Sequence, residues 1–389
     1  MAARRHRTRT GVVGLAVAAL AATAFTVPAQ ASPSGAGHAA GRTGHEETRR
    51  ALDAIVRDGI PGVAGQARTG GSVWKGAAGV GDLRTGAPRR ADDRFRIASI
   101  TKTFVATVLL QLESEGRLDL DDTVETWLPG VVRGHGHDGR RMTVRQLLNH
   151  TSGVFDFIDD PAYAEKYIVP GFLKNRYRTR TPQEAVDAAM AHAPAFAPGS
   201  RYAYSNTNYV LAALIMERVT GRTYEHEVRT RIIEPLRLRA TVMPGDSSLM
   251  PGPSGRAYSK LGEDSAGATV HDVTHQNASQ TWAEGDMISS AGDLNRFFSA
   301  LLRGELLAPE QLKAMKTTVF DSDYGLGIER LTAGCGAQLW GHSGGWIGSL
   351  SFAVTTEDGD HSFAVNLNGD WSTAGLGQVV DAEYCGTAG

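Results

Sequence analysis

"RFRIASITKTFVATVLLQLESEG", residues 94–116, sets a serine three positions ahead of a lysine where an apolar helical period begins. Phe104, Val105, Val108, Leu109 and Leu112 keep that period until Gly116 ends it. Residues three apart on a helix share a face, so Ser99 and Lys102 can touch. The same spacing occurs in "SVWK", Ser72 to Lys75, inside a glycine-broken alternating stretch, 62–86, that reads as a β-hairpin. Along a strand, residues three apart point to opposite faces, which discounts that second pair.

A serine hydroxyl attacks poorly until a base removes its proton. Lysine can be that base when burial or neighbouring positive charge lowers its pKa, whereas arginine cannot. Only 7 of the 40 basic residues are lysine, so a lysine one turn from a serine is mildly informative. Read alone, the pair fits a serine helix cap with a solvated lysine better.

Two further clusters carry chemistry. "YAYSNTNY", 202–209, holds the chain's one Tyr-x-Asn, Tyr204 and Asn206, two residues apart on an extended segment. A phenol there can carry a proton and an amide can orient a carbonyl; a polar loop capping the next helix through Asn206 or Asn208 is the plainer reading. "WGHSGGWIG", 340–348, places His342, Ser343 and Gly344 in a strand pattern whose glycines leave room for a ligand backbone. A glycine-rich bulge with a surface histidine explains it as well.

Outward from these clusters, a helix is expected around Thr48–Asp58, mostly helical pattern over 155–235, and consecutive antiparallel strands from 324 onward. An Asp-Gly turn falls at 358–359, and a short helix fits 373–384. The expected fold is therefore α/β (α+β): an antiparallel sheet assembled from both ends of the chain and flanked by helices, with a mainly helical subdomain at roughly 117–290 between.

The N-terminus carries Arg4, Arg5, Arg7 and Arg9, then an apolar run to Val27 and a small-x-small site at Ala29–Ala31. This reads as a secretory signal over 1–31, followed by a Ser/Gly/Ala/His-rich lead-in over 32–47. The apolar run is too short for a transmembrane anchor. Arg4-Arg5 leaves the twin-arginine route open. Removing the signal takes away four arginines and no acids, so the charge becomes 36 − 42 = −6. A balance of −2 before or −6 after cleavage argues against nucleic acid as partner, since phosphate binding needs a basic face. In an exported chain the two cysteines, Cys335 and Cys385, read better as one disulfide than as a metal site; two free thiols are the alternative.

Taken in order, Ser-x-x-Lys opens a helix, Tyr-x-Asn follows 105 residues on, and His-Ser-Gly comes 138 after that. With "DDRFRIASITKTF", "GRLDLDDTVETWLPG", "MTVRQLLNHTSG", "FAPGSRYAYSNTNYVLAALIMERVTG" and "YGLGIERL", the chain from about 48 to 386 resembles the penicillin-recognising serine hydrolases. The likeness is nearest to secreted actinobacterial D-alanyl-D-alanine carboxypeptidases and class C β-lactamases. It implies one serine hydrolase domain over 48–389 with no metal or other cofactor. It makes Ser99 the nucleophile, with Lys102 taking its proton or keeping the site positive, and Tyr204 the general acid/base. It gives Asn206, His342, Ser343 and Gly344 to the substrate, the backbone N–H groups of Ser99 and Gly345 to the oxyanion hole, and pairs Cys335 with Cys385. Two positions depart from the carboxypeptidase pattern: Glu329 stands where a basic residue binds the substrate's terminal carboxylate, and Gly345 where a threonine helps. Arg330 turning in would compensate for Glu329. The expected protein is a secreted, monomeric acyl-serine hydrolase acting on a small peptide, β-lactam or ester. Carboxypeptidase or β-lactamase-like activity leads; a same-fold esterase or a slow-turnover penicillin-binding protein is the alternative.

Overall fold

The computed structural model describes residues 44–263, 265 and 267–386. The signal and most of the lead-in expected from the sequence lie outside the described residues.

The elements that place the site are α1 (Glu46–Arg57), β1 (Gly62–Thr69), β2 (Ser72–Asp82), β3 (Ala87–Pro88), α2 (Thr101–Ser114), α3 (Thr207–Thr220), α4 (Ala291–Leu302), β4 (Glu329–Thr332), β5 (Gln338–Trp346), β6 (Ser349–Thr356), β7 (His361–Leu367) and α5 (Leu376–Cys385). Seven strands form one antiparallel sheet in the order β4-β5-β6-β7-β1-β2-β3. The joint between its halves is the β1–β7 ladder, from Val63 opposite Leu367 to Thr69 opposite His361. The sheet is thus assembled from both ends of the chain, as the strand patterns predict. Ser72 and Lys75 both lie on β2, where Lys75 pairs with Asp92 instead. "YGLGIERL" is strand only from Glu329.

The two-residue period of the strands sorts their side chains between two apolar clusters. Leu339, Phe363, Val365 and Leu367 join Leu52 and Ile55 of α1 and Val379 of α5 on one face. Trp340, Ala353 and Ala364 join the larger helical cluster on the other, which includes Phe104 of α2 and Phe297 of α4, stacked at 3.7 Å between ring centroids.

Helix α2 is the axis of that larger cluster. Apart from its C-terminal turn it is buried all round, so it behaves as an internal helix and not as a one-faced surface helix. The hydroxyl of Thr107 is satisfied by donating to the Thr103 carbonyl at 2.7 Å. Gly116, with φ 66°, supplies the left-handed residue that stops the helix. Helix α2 packs against α3 and other helices of the middle and later chain. The middle region, 117–290, is mostly helix and loop.

Cys335 and Cys385 form a disulfide joining the β4–β5 loop to the end of α5. It spans a sequence separation of 50 residues. Replacing both cysteines with serine is expected to lower the unfolding free energy by about 2–4 kcal/mol, because the open chain regains the entropy of a long loop. A guanidinium midpoint unchanged from the oxidised protein would contradict this.

Candidate active site

Chain path brings Ser99 to the point where sheet meets helices. Ile97 N–H donates to the Met287 carbonyl at 3.0 Å, and Ser349 and Ser351 donate to the Arg96 carbonyl at 2.8 and 3.2 Å. The pinned chain then turns sharply through a 3₁₀ turn, Ala98–Ile100, in which Ala98 adopts φ 46°, a strained value for a residue with a Cβ. Ser99 is therefore not the cap of α2; Ile100 holds that position without a side-chain cap.

Lys102 is not solvated either: it is fully buried. Its amine meets three oxygens, Ser99 Oγ at 3.0 Å, Asn206 Oδ1 at 2.9 Å and the Glu284 main-chain carbonyl at 2.8 Å. The ring of Tyr204 lies 4.9 Å from the amine, centroid to nitrogen. Burial pulls the Lys102 pKa down to about 8, and the charges of Glu284, Asp156 and Glu329 offset only part of that.

The three contacts differ in kind. Amide and main-chain carbonyls only accept, while a serine hydroxyl can also donate. Once the amine is neutral it keeps two N–H groups and one lone pair, so the N–H groups go to Asn206 and Glu284 and the lone pair faces Ser99. The Asn206 amide cannot flip to undo this, because its Nδ2 donates to Asp156 Oδ2 at 2.9 Å. Asn206 occupies the residue before α3, where a capping side chain was the plainer expectation, but makes no cap bond. Neighbouring Thr207 accepts from Phe157 N–H at 3.0 Å and donates to the Phe155 carbonyl at 2.7 Å, which carries Asp156 to the amide.

Tyr204 is half-buried on the loop ahead of α3. Burial drives its pKa well above 10, and proximity to the Ser99 hydroxyl offsets this only partly, so it is a neutral phenol near pH 7. His150 packs against it at 4.1 Å between ring centroids.

The third cluster arrives on β5. Gly344 lies so close to the nucleophile turn that a Cβ there would sit 2.1 Å from the Ile97 carbonyl and 3.3 Å from Ser99 N. Only glycine fits. Gly345 follows it, exposed, at the same end of β5. His342 is buried, and burial takes its pKa down to about 3, so the ring is uncharged. Its Nδ1 bonds the Ser343 carbonyl at 2.5 Å and must carry the proton, leaving Nε2 to accept from the Tyr324 hydroxyl at 2.9 Å. The resemblance gives His342 to the substrate; here its ring bonds Tyr324 and supplies no charge. Ser343 donates twice to Glu329, from N–H at 3.2 Å and Oγ at 3.0 Å. Arg330 does not turn in: its guanidinium bonds Asp323 at 2.7 and 3.0 Å. The three clusters thus converge around Ser99.

Residues 45–375 match the family model described as Beta-lactamase. The chain belongs to the β-lactamase family. It is a serine hydrolase of the β-lactamase and penicillin-binding-protein superfamily, with the mixed helix and antiparallel-sheet fold of its solved relatives. A D-stereospecific amidohydrolase from Streptomyces sp. is 53% identical, covers 89% of this chain and 100% of its own, and superposes with a TM-score of 0.84. A D-amino acid amidase from Ochrobactrum anthropi SV3, complexed with D-phenylalanine, is 29% identical with a TM-score of 0.74, covering 87% and 98% of the two chains. Penicillin-binding protein 4* of Bacillus subtilis (strain 168) is 28% identical over 321 residues, which is 74% of this chain but 63% of that protein's length.

Three residues packed into this site escape the motif pattern. Asp156 and His150 reach it from the 149–157 loop through tertiary contacts, and Glu284 contributes a main-chain carbonyl, which has no side-chain signature. For the buried amine, NMR of isotope-labelled lysine is expected to show Lys102 titrating near pH 8, far below an ordinary lysine at 10.5. Between those values the unfolded chain holds the extra proton, so this group adds stability as pH rises through that window. A Lys102 midpoint at 10 or above would contradict the desolvated geometry.

Proposed function

We propose that the protein is an exported serine amidohydrolase that forms an acyl-enzyme on Ser99 and cleaves small amides or peptides with a D-configured acyl residue. The observation that carries the chemistry is the set of three oxygens around Lys102, which leaves the neutral amine's lone pair one hydroxyl to face. Ser99 Oγ attacks the substrate carbonyl as its proton moves to Lys102. The oxyanion is held by the N–H groups of Ser99 and Gly345, an interaction whose loss typically costs about 10²–10³ in rate. Tyr204 gives its proton to the departing amine and is reprotonated from Lys102. Water then attacks the ester with the same groups working in reverse, and Ser99 recovers its proton. Asn206 both orients Lys102 and lies at the acyl side of the cleft.

The substrate class rests on charge. Recognition of a terminal carboxylate, as in D-alanyl-D-alanine peptides and β-lactams, calls for a cation near the third motif. Here His342 is neutral, Arg330 is held by Asp323, and Glu329 adds an acid. This disfavours carboxypeptidase and β-lactamase activity and favours amides without that carboxylate. The 53% identical amidohydrolase supports the same reading. The disulfide fits an oxidising compartment, which supports export.

The test compares D- and L-phenylalanine amide, acetyl-D-Ala-D-Ala and a fluorescent penicillin. The D-amide is expected to be cleaved at least about tenfold faster than its enantiomer, with kcat/KM rising through about pH 8 as Lys102 loses its proton. Ser99→Ala should leave less than about 10⁻³ of the activity. Preference for the L-amide, or for the carboxylate-bearing peptide, would overturn the substrate assignment; an active Ser99→Ala enzyme would overturn the mechanism.

A further inference from the structure

Among the described residues, no lysine or arginine forms an ion pair with Glu329. It opens β4 opposite Gly341, and its carboxylate reaches along the sheet edge to Ser343. Both bonds it accepts there come from neutral donors. The one histidine within reach, His342 Nδ1 at 3.5 Å, is held uncharged by burial. Arg330 is occupied by Asp323, and the Lys102 amine makes its three contacts elsewhere. The side chain of Glu329 is 15% exposed, so the carboxylate is largely, but not wholly, desolvated. The backbone bridge of Glu329 to Tyr324 and its bonds to Ser343 place it beside the third motif.

Burial raises the Glu329 pKa to about 7, and a cation brought by a ligand beside it would favour its charged form. A carboxylate offers about four acceptor sites, and Ser343 uses two. The nearby rings of Tyr202, Tyr204 and Tyr324, with Tyr324 centred 5.9 and 6.0 Å from the other two, add aromatic faces that favour an ammonium over an anion.

We propose that Glu329 is a specificity-determining residue that binds a substrate ammonium, so that the substrates taken fastest carry a protonated amine close to the scissile amide. This rests on the amidohydrolase reading and sharpens it. The ammonium has two possible sources, the α-amine of the acyl residue or an amine on the leaving group, and matched substrate pairs separate them. One pair is D-phenylalanine amide against 3-phenylpropanamide. The other is N-acetyl-D-phenylalanine 2-aminoethylamide against the propylamide, its uncharged isostere.

In the wild type, the cationic member of at least one pair is expected to be favoured by about tenfold or more in kcat/KM, the scale of a charge-assisted hydrogen bond. In Glu329→Gln that ratio should fall to about one, whatever happens to the rate both members share, and the pair that collapses names the source. Glu329→Lys should instead favour an N-acetyl-D-phenylalanine amide of β-alanine, which ends in a carboxylate. Wild-type ratios near one in both pairs overturn the proposal even if a variant fails to fold. Absence of a cationic preference in both pairs, or a preference that survives Glu329→Gln, overturns the proposal. Should no amide be cleaved while p-nitrophenyl acetate still acylates Ser99, the amidohydrolase reading falls by itself. Glu329 is then read by competition: propylammonium, but not propanol, should slow the ester reaction in the wild type and lose that effect in Glu329→Gln. Equal effects of the two compounds would overturn the ammonium site.

Discussion

The site depends on one desolvated amine. Lys102 sits in the first turn of a helix that is buried nearly all round, and water cannot reach it to stabilise a positive charge. An ammonium in that place would need full compensation by anions. The protein supplies carboxylates, but burial pushes Asp156, Glu284 and Glu329 each up to about 7, so their negative charge is itself incomplete near neutrality. Burial, working against their mutual attraction, brings the lysine and the acids close to their titration points. Protons can then move among them at small cost, which is the condition general acid–base chemistry requires.

Backbone geometry is organised around the same point. The strained Ala98, the carbonyl of Arg96 held by two serines of β6, and the bare Cα of Gly344 against Ile97 are successive steps in fixing the Ser99 turn to the sheet. On the other side, the Thr207 hydroxyl links the Asp156 loop to the start of α3 and so orients Asn206. The sheet thus positions the hydroxyl while the helical region positions what faces it. Neither half contains a site alone.

Much of this was legible in the sequence, for identifiable reasons. Ser99 and Lys102 share a face because the apolar period around them is unmistakably helical, and the strand pattern from 324 onward marked the C-terminal half of the sheet. The departure at Glu329 was visible as a wrong-signed residue in a familiar pattern. What could not be read was protonation and partnership. A histidine in a strand looks available for charge; only its burial and its bonds to Ser343 and Tyr324 make it neutral. Arg330 sits beside Glu329 in the chain, yet adjacent strand residues point to opposite sides, and Asp323 was there to take it. Asp156 lies in a loop whose approach is decided by packing, which no local period encodes.

The closing of the sheet by strands from opposite ends of the chain governs when the molecule can first act. β1 leaves the ribosome early, but its partner β7 is complete only at Leu367, and β5, which completes the nucleophile's surroundings, ends at Trp346. Most of the chain must therefore wait, with Ser99 already synthesised, for contacts hundreds of positions away, a topology that slows folding. During that interval the serine is chemically ordinary. Reactivity is a property of the finished polypeptide, and a half-made one is a harmless passenger in the compartment that builds it.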